Sequence, residues 1–223
     1  MNVTFNANHL VFLLQGAGWT LVLSLIAFVG GGLLGFLVAL GRISPIRPLR
    51  WLATAYVQLV QGTPLLILMF LSYFGLSIAG LSLPALVAAG LSMTIFVSAY
   101  IGEIWRGCIQ AVPRTQWEAA ECLALSRAQR MRLVVLPQAL RIATPPTVGF
   151  MVQIVKSTSL ASVVGFVELA RAGQVVNNSL FEPFLVYMLV AGLYFLLCFP
   201  LSWYSRKLER RLMVAHRTEV ALA

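Results

Sequence analysis

The chain has 223 residues, of which 60% are hydrophobic and only 10% charged, with a formal net charge of +9. A soluble domain carries about 25% charged residues and under half apolar ones, so here too little polar surface exists to cover a globule in water and the excess must face lipid. The 16 Lys and Arg flank apolar stretches instead of forming a stripe with interleaved aromatics, which excludes a nucleic-acid surface.

No basic residue precedes Arg42, so the N-terminus lacks the charged n-region of a cleavable signal peptide, and the first apolar stretch is expected to stay as a span. Residues 19–40 are 22 nearly continuously apolar positions, enough to cross about 30 Å of hydrocarbon as a helix. Gly31 and Gly35 within it form a small-xxx-small pair suited to close helix packing. The next uncharged run, 51–102, is 52 residues long: too long for one span and right for two with a hairpin. Gly, Ser and Pro cluster at 75–84, so the spans are placed at about 54–75 and 84–104. Residues 142–167 are apolar apart from Lys156 and a few hydroxyl and amide groups, with Pro145 and Pro146 marking a break. Residues 183–205 are uncharged and form the last span. The expectation is an all-α integral membrane protein of five transmembrane helices in a single domain over 1–223.

Basic residues fix a direction. Residues 42–50 hold three Arg, 106–141 hold six, and 206–217 hold five basic groups. With five spans and the N-terminus outside, every cluster falls on the cytoplasmic side, as the positive-inside rule requires. The segment 168–182, with Arg171, Gln174, Asn177 and Asn178, would then be a solvated periplasmic loop, with contact to a soluble binding protein as the alternative reading.

Few residues suggest chemistry of their own. Cys108, Cys122 and Cys198 are far apart with no C-x-x-C pair and read as reduced thiols packed as small apolar groups. His9 and His216 sit at opposite ends and make no metal site. Neither lysine, Lys156 after Val155 or Lys207 after Arg206, completes G-x-x-x-x-G-K, so the chain has no phosphate-cradling loop and no cofactor of its own. Energy must come from a partner or a gradient.

The stretch 106–141 is too polar to span. Residues 117–125 read as a short amphipathic helix and 126–136 as a second, with the Ser126 hydroxyl as its cap. On periodicity alone this is a membrane-surface loop with a basic face. The residues carry more. Glu118-Ala119-Ala120, separated by residues 121–133 from Val134-x-Leu136-Pro137, resembles the EAA loop of binding-protein-dependent ABC importer permeases, whose pattern is E-A-A-x-x-x-G, nine residues, then I-x-L-P. Gln61-Gly62-Thr63-Pro64-Leu65-Leu66 is similar to the R/Q-G-T-P-L-L stretch of the polar amino acid permeases of the histidine and glutamine type. Ala99-Tyr100-x-x-Glu103-x-x-Arg106-Gly107 and Lys156-Ser157-Thr158-Ser159-Leu160-Ala161-Ser162 resemble two further stretches of that group. Four motifs in order, over roughly 15–210, make the resemblance specific. Three departures stand out. Ala124 and Val134 replace the usual Gly and Ile, and Ser157 stands where K-D-T-S-L has Asp. If residue 124 needs a positive φ, Ala costs on the order of 1 kcal/mol there.

The resemblance implies a type I importer permease of MetI-like fold in the bacterial inner membrane. Two permease subunits, two copies or a pair of related chains, form the pore. A periplasmic binding protein delivers a polar amino acid, and two ATPase subunits, which hold the ATP and Mg, dock below. It places Glu118, Ala119, Ala120, Leu123, Ala124 and Pro137 in the ATPase-coupling element, with small side chains that admit another surface, one charge to pair across it, and Trp117 and Leu123 as hydrophobic anchors of the helix. Lys156, with Ser157, Thr158 and Ser159 beside it, is a candidate for a substrate carboxylate, because an intramembrane charge usually faces a cavity or partner. An internal pair with Glu103, or snorkelling to the interface, is the plainer alternative. Gln61, Thr63 and Glu103 are further pathway candidates, although Glu103 lies three residues before Arg106 and can pair with it along one helix face. The rival reading is a gradient-driven secondary carrier or channel, which predicts inverted repeats or several intramembrane carboxylates; neither is evident.

Overall fold

A computed structural model describes residues 5–221, without the side chains of Arg211 and residues 213–221. Arg211 and Arg217 of the C-terminal basic cluster, and His216, therefore lie outside the described side chains. Among the described residues all regular structure is helical.

Helix α1, Ala7–Ile43, starts well before the predicted 19. The sequence has no breaker after Asn6, whose side chain accepts from the His9 N–H while His9 Nδ1 accepts from the Asn6 N–H, both at 3.2 Å. This capping box accounts for His9, which serves the helix start. At 1.5 Å per residue the helix is about 55 Å long, longer than the hydrocarbon it crosses.

The span expected at 54–75 is not one helix. Helix α2, Arg47–Gln61, and helix α3, Leu65–Ile78, meet at 99°. Pro64 has no N–H and pushes Thr63 out of the helical region, so the chain turns there. The Thr63 hydroxyl donates to Leu59 O at 2.8 Å, and the Gly62 N–H to Gln58 O at 2.9 Å, closing the end of α2. The hairpin at 75–84 forms as expected, with Gly80 in a left-handed conformation at φ 90. Helix α4, Ala85–Gln110, leads to the short helix α5, Arg114–Cys122.

Helix α6 runs unbroken over Arg127–Val164. No boundary falls at Leu136, and Pro145 and Pro146 do not break it. A π turn over Arg130–Val135 precedes Pro137, with the Leu136 N–H reaching Met131 O, and this wider turn absorbs the proline. The Ser205 hydroxyl donates to Pro145 O at 3.0 Å. Residues Thr158–Val164 tighten into a 3-10 turn.

The segment read as a solvated loop is helix α7, Leu169–Leu180, whose Leu169, Ala172, Val176 and Leu180 are buried against Leu13 and Ala17 of α1 and Val186 and Val190 of the next helix. Period-3.6 apolar spacing explains it. The last helix, α8, is Pro183–Ala221. Among the described residues, four helices are long and apolar enough to cross a membrane, or five with α2 and α3 counted as one.

The main core joins α1, α3, α4 and α6 through Leu23, Met69, Met93, Val97, Ile101 and Ile154. The Gly31–Gly35 pair lies where α1 crosses α4: a Cβ at Gly31 would overlap Val97, and one at Gly35 would lie 3.0 Å from Ser98 O. Without a hydrophobic drive between helices in lipid, this close backbone approach supplies the packing. Cys108 and Cys198 are buried as expected, but Cys122 is exposed on α5.

Candidate functional site

Two clusters hold the residues singled out by sequence. The first is built around α5. Pro113 precedes the helix, and Trp117 and Ala120, three apart, share its inner face: Ala120 is buried, and Trp117 packs onto Ile109, Val112, Val135 and Ala139. Glu118 and Ala119 face outward and are exposed. Glu118 makes no ion pair among the described residues. Trp117 is an anchor as expected; Leu123 is not, being 74% exposed past the helix end. The predicted helix 117–125 starts three residues earlier and stops at Cys122, for a reason visible in the backbone. Ala124 has φ 55, in the left-handed region. The Leu125 N–H donates to Ala120 O at 3.2 Å and the Ala124 N–H to Glu121 O at 2.8 Å, the two bonds of a Schellman motif with Ala124 at the position that favours glycine.

The next helix is capped as predicted. The Ser126 hydroxyl accepts from the Gln129 N–H at 3.4 Å, and Gln129 Oε1 accepts from the Ser126 N–H at 2.9 Å. Across the turn Arg130 Nη1 meets Glu121 Oε2 at 2.9 Å, and Gln138 Nε2 donates to Gln116 Oε1 at 3.2 Å, so α5 is fastened to α6 along its inner side only. Pro137 is exposed and acts through the π turn before it.

The second cluster is the carboxylate of Glu103. It receives Arg106 Nη2 at 2.5 Å and Arg106 Nε at 3.0 Å, the i,i+3 pairing anticipated, and also Arg42 Nη2 at 2.9 Å. Arg42 in turn donates to the Thr54 hydroxyl at 2.7 Å, tying the end of α1 to α2 and α4. Two guanidinium groups on one carboxylate leave the cluster with an excess positive charge. Beside it, Gln61, Tyr100, Glu103 and Pro146 line one cavity, and the Tyr100 ring stacks on Phe150 at 5.5 Å.

Lys156 is elsewhere. It is exposed in a groove between α6 and α8 lined also by Gln153, Ser202, Ser205 and Arg206, and it does not pair with Glu103. The Thr158 and Ser159 hydroxyls donate to Val155 O and Lys156 O, each at 2.8 Å, so their protons serve the helix turn. The structure thus brings Gln61 and Glu103 together and leaves Thr63 at the α2 end and Lys156 to Ser159 apart.

Sequence reasoning missed Glu168. Its carboxylate is fully buried, accepts from the Ala170 and Arg171 N–H groups at 2.9 Å each, and receives the Tyr194 hydroxyl at 2.7 Å. It caps α7, and the Leu169 N–H donates to the Thr20 hydroxyl at 3.2 Å beside it. The one available signal was an acidic residue just before the Leu169, Ala172, Val176 spacing.

The profile of the binding-protein-dependent transport system inner membrane component family matches residues 31–214. The probable glutamine ABC transporter permease protein GlnM of Bacillus subtilis (strain 168) is 39% identical, over 95% of this chain and 98% of that protein. The probable amino-acid ABC transporter permease protein YckA of the same organism is 34% identical, over 90% and 88%. Among solved structures, an amino acid ABC transporter crystallised with histidines superposes with a TM-score of 0.86 at 33% identity, covering 94% of this chain and all of that one. The inward-facing MetNI methionine ABC transporter superposes at 0.75 with 21% identity, covering 93% and 99%, a likeness of fold alone. The chain belongs to the binding-protein-dependent transport system inner membrane component family, as a membrane-spanning pore subunit of an ATP-driven importer whose ATPase is a separate subunit.

Proposed function

We propose that this permease carries polar amino acids inward across a bacterial inner membrane, taking them from a periplasmic binding protein and working as one of two permease subunits above two ATPase subunits. The N-terminus is outside and the C-terminus cytoplasmic, which collects the arginines of 42–50 and 106–141 on the side where α5 meets the ATPase. The observation that carries the reading is the one-sided fastening of α5. Its inner face is packed on α4 and α6, while Glu118 and Ala119 remain open to a partner. Leu123, exposed at the helix end, fits a partner contact better than an anchor of its own fold. Ala120, Ala124 and Pro137 shape the element without touching the partner. The amino acid class rests on the relatives named above.

For the pathway, the largely apolar cavity that Gln61, Tyr100 and Glu103 line is one station, with the Arg42–Glu103–Arg106 excess positive charge beside it to attract a substrate carboxylate, while Thr63 stands apart at the end of α2. The groove of Lys156, Gln153 and Ser202 makes a second, which Ser157, Thr158 and Ser159 do not line. The deciding experiment reconstitutes the complex with its binding protein and tests a panel of amino acids for stimulation of ATPase activity and uptake. Stimulation by one or a few polar amino acids is expected. Stimulation by sugars or metal-chelate solutes, with no response to any amino acid, overturns the proposal.

A further inference from the structure

We infer that α2 is an interfacial helix seated in the bilayer face, with its arginines on anionic phospholipid headgroups and its outer side in the acyl chains. Arg47, Arg50, Thr54, Gln58 and Gln61 recur every three or four residues and form a single polar stripe along it. The rest of the circumference is apolar. Val57 and Val60 face inward onto Ala99 of α4. The opposite side carries Trp51, Leu52 and Leu59, which are 73%, 63% and 67% exposed.

Three observations set the placement. Helix α3 departs at 99°, so when α3 stands along the membrane normal α2 lies close to the membrane plane. Thr54 is held by Arg42 at the end of α1, and Gln61 lines the Glu103 cavity, so both halves of α2 sit at the depth of Glu103. Finally, an exposed Trp directly after two arginines is the chemistry of the headgroup level, where the ring occupies the boundary and the guanidinium groups reach phosphate. A second permease copy is a poorer occupant. Helix α2 has no acidic residue, Arg47 and Arg50 make no ion pair among the described residues, and a basic chain with seven acids offers little to match them. Phosphate supplies that charge. The inference needs only that the chain spans a membrane and is independent of what is transported.

The test places a benzophenone-bearing phenylalanine analogue at Leu52, and separately at Leu59, in the assembled transporter. The complex is embedded in nanodiscs of mixed phosphatidylglycerol and phosphatidylcholine, irradiated, and its adducts identified by mass. Phospholipid adducts at both positions, enriched in phosphatidylglycerol, are expected. Replacing both arginines (R47Q with R50Q) should cut that enrichment by roughly 25-fold, since each basic group near an anionic surface is worth about fivefold. Adducts to a second permease or to the ATPase overturn the inference. So do lipid adducts without phosphatidylglycerol enrichment, or enrichment that survives the loss of both arginines. Because two positions are probed, a labelled variant that fails to assemble leaves the other to decide.

Discussion

Ala124→Gly tests the backbone of the turn that ends α5 directly. With φ 55 the alanine Cβ crowds the neighbouring carbonyl, a cost of roughly 1–2 kcal/mol that glycine does not bear. Against this, glycine loses about 0.5–1 kcal/mol more backbone entropy on ordering. The net gain is about 0.5–1 kcal/mol, confined to the turn that ends α5. It should appear where the turn opens. The Ala124 and Leu125 amides are the two Schellman donors, and their exchange with deuterium requires that opening. In the nanodisc-embedded permease without its ATPase, the Gly variant should slow exchange of the amides at 124 and 125 by about twofold to fivefold. Ala124→Val should speed it, because a β-branched residue fits the left-handed region worse. Unchanged or faster exchange in the Gly variant would mean that residue 124 is not left-handed, and the account of how α5 terminates would fail.

Glu118→Lys reverses the acidic charge on the open face of α5 and should abolish uptake while membrane insertion and yield stay normal; normal uptake would count heavily against the coupling role. Lys156→Met should lower transport and substrate-stimulated ATPase activity together, and unchanged values in both would remove Lys156 from the pathway. Glu168→Ala leaves the α7 N–H groups and the buried Tyr194 hydroxyl without their acceptor, a loss of about 2–3 kcal/mol or more. Thermal aggregation in detergent should therefore begin several degrees lower, whereas Glu182→Ala, at an exposed position, should leave it unchanged; equal effects would show that the Glu168 network adds nothing.

Much of this architecture was legible because lipid imposes simple rules. The spans placed at 19–40, 84–104 and 183–205 fall on three long helices, because their apolar runs carry no charge except Glu103 near the end of the second, and Pro200 does not break the last. The Ser126 cap was readable from local chemistry, and the conditional cost at Ala124 turned on a φ that only the structure supplies. The failures share a cause. Pro64 was visible, but whether a proline kinks, breaks or is absorbed depends on the donors and packing around it, which local sequence does not show. At Pro64 the Thr63 side chain closes α2 and the chain turns through 99°; at Pro145 the Ser205 hydroxyl, 60 residues away, donates to the Pro145 carbonyl and α6 continues. Arg42 on Glu103 is likewise a pairing across 61 residues that no periodicity announces. The buried Glu168 was missed because an acidic residue in a short polar segment ordinarily reads as solvated.

The geometry of α6 bears on how a pull on α5 would reach the pore. Ile109, Val112, Val135 and Ala139 hold α5, the end of α4 and the start of α6 in one packed unit, so displacing α5 without moving them would open a cavity costing several kcal/mol. The motion must therefore pass into α6. That helix is continuous to Val164, but the missing N–H groups of Pro145 and Pro146 leave the Arg141 and Ile142 carbonyls without their usual partners. Bending there sacrifices two fewer hydrogen bonds, each worth about 1 kcal/mol net, than bending anywhere else along the rod. The Trp105 Nε1–H to Thr147 Oγ1 bond, at 2.9 Å, pins the far side of the double proline to α4. A pull on α5 is thus expected to tilt the first third of α6 about residues 141–146, while the part that carries Lys156 stays with the core. On this reasoning the Gln61–Glu103 cavity, which has Pro146 in its wall, changes shape first, and the Lys156 groove follows only if Thr147 is released.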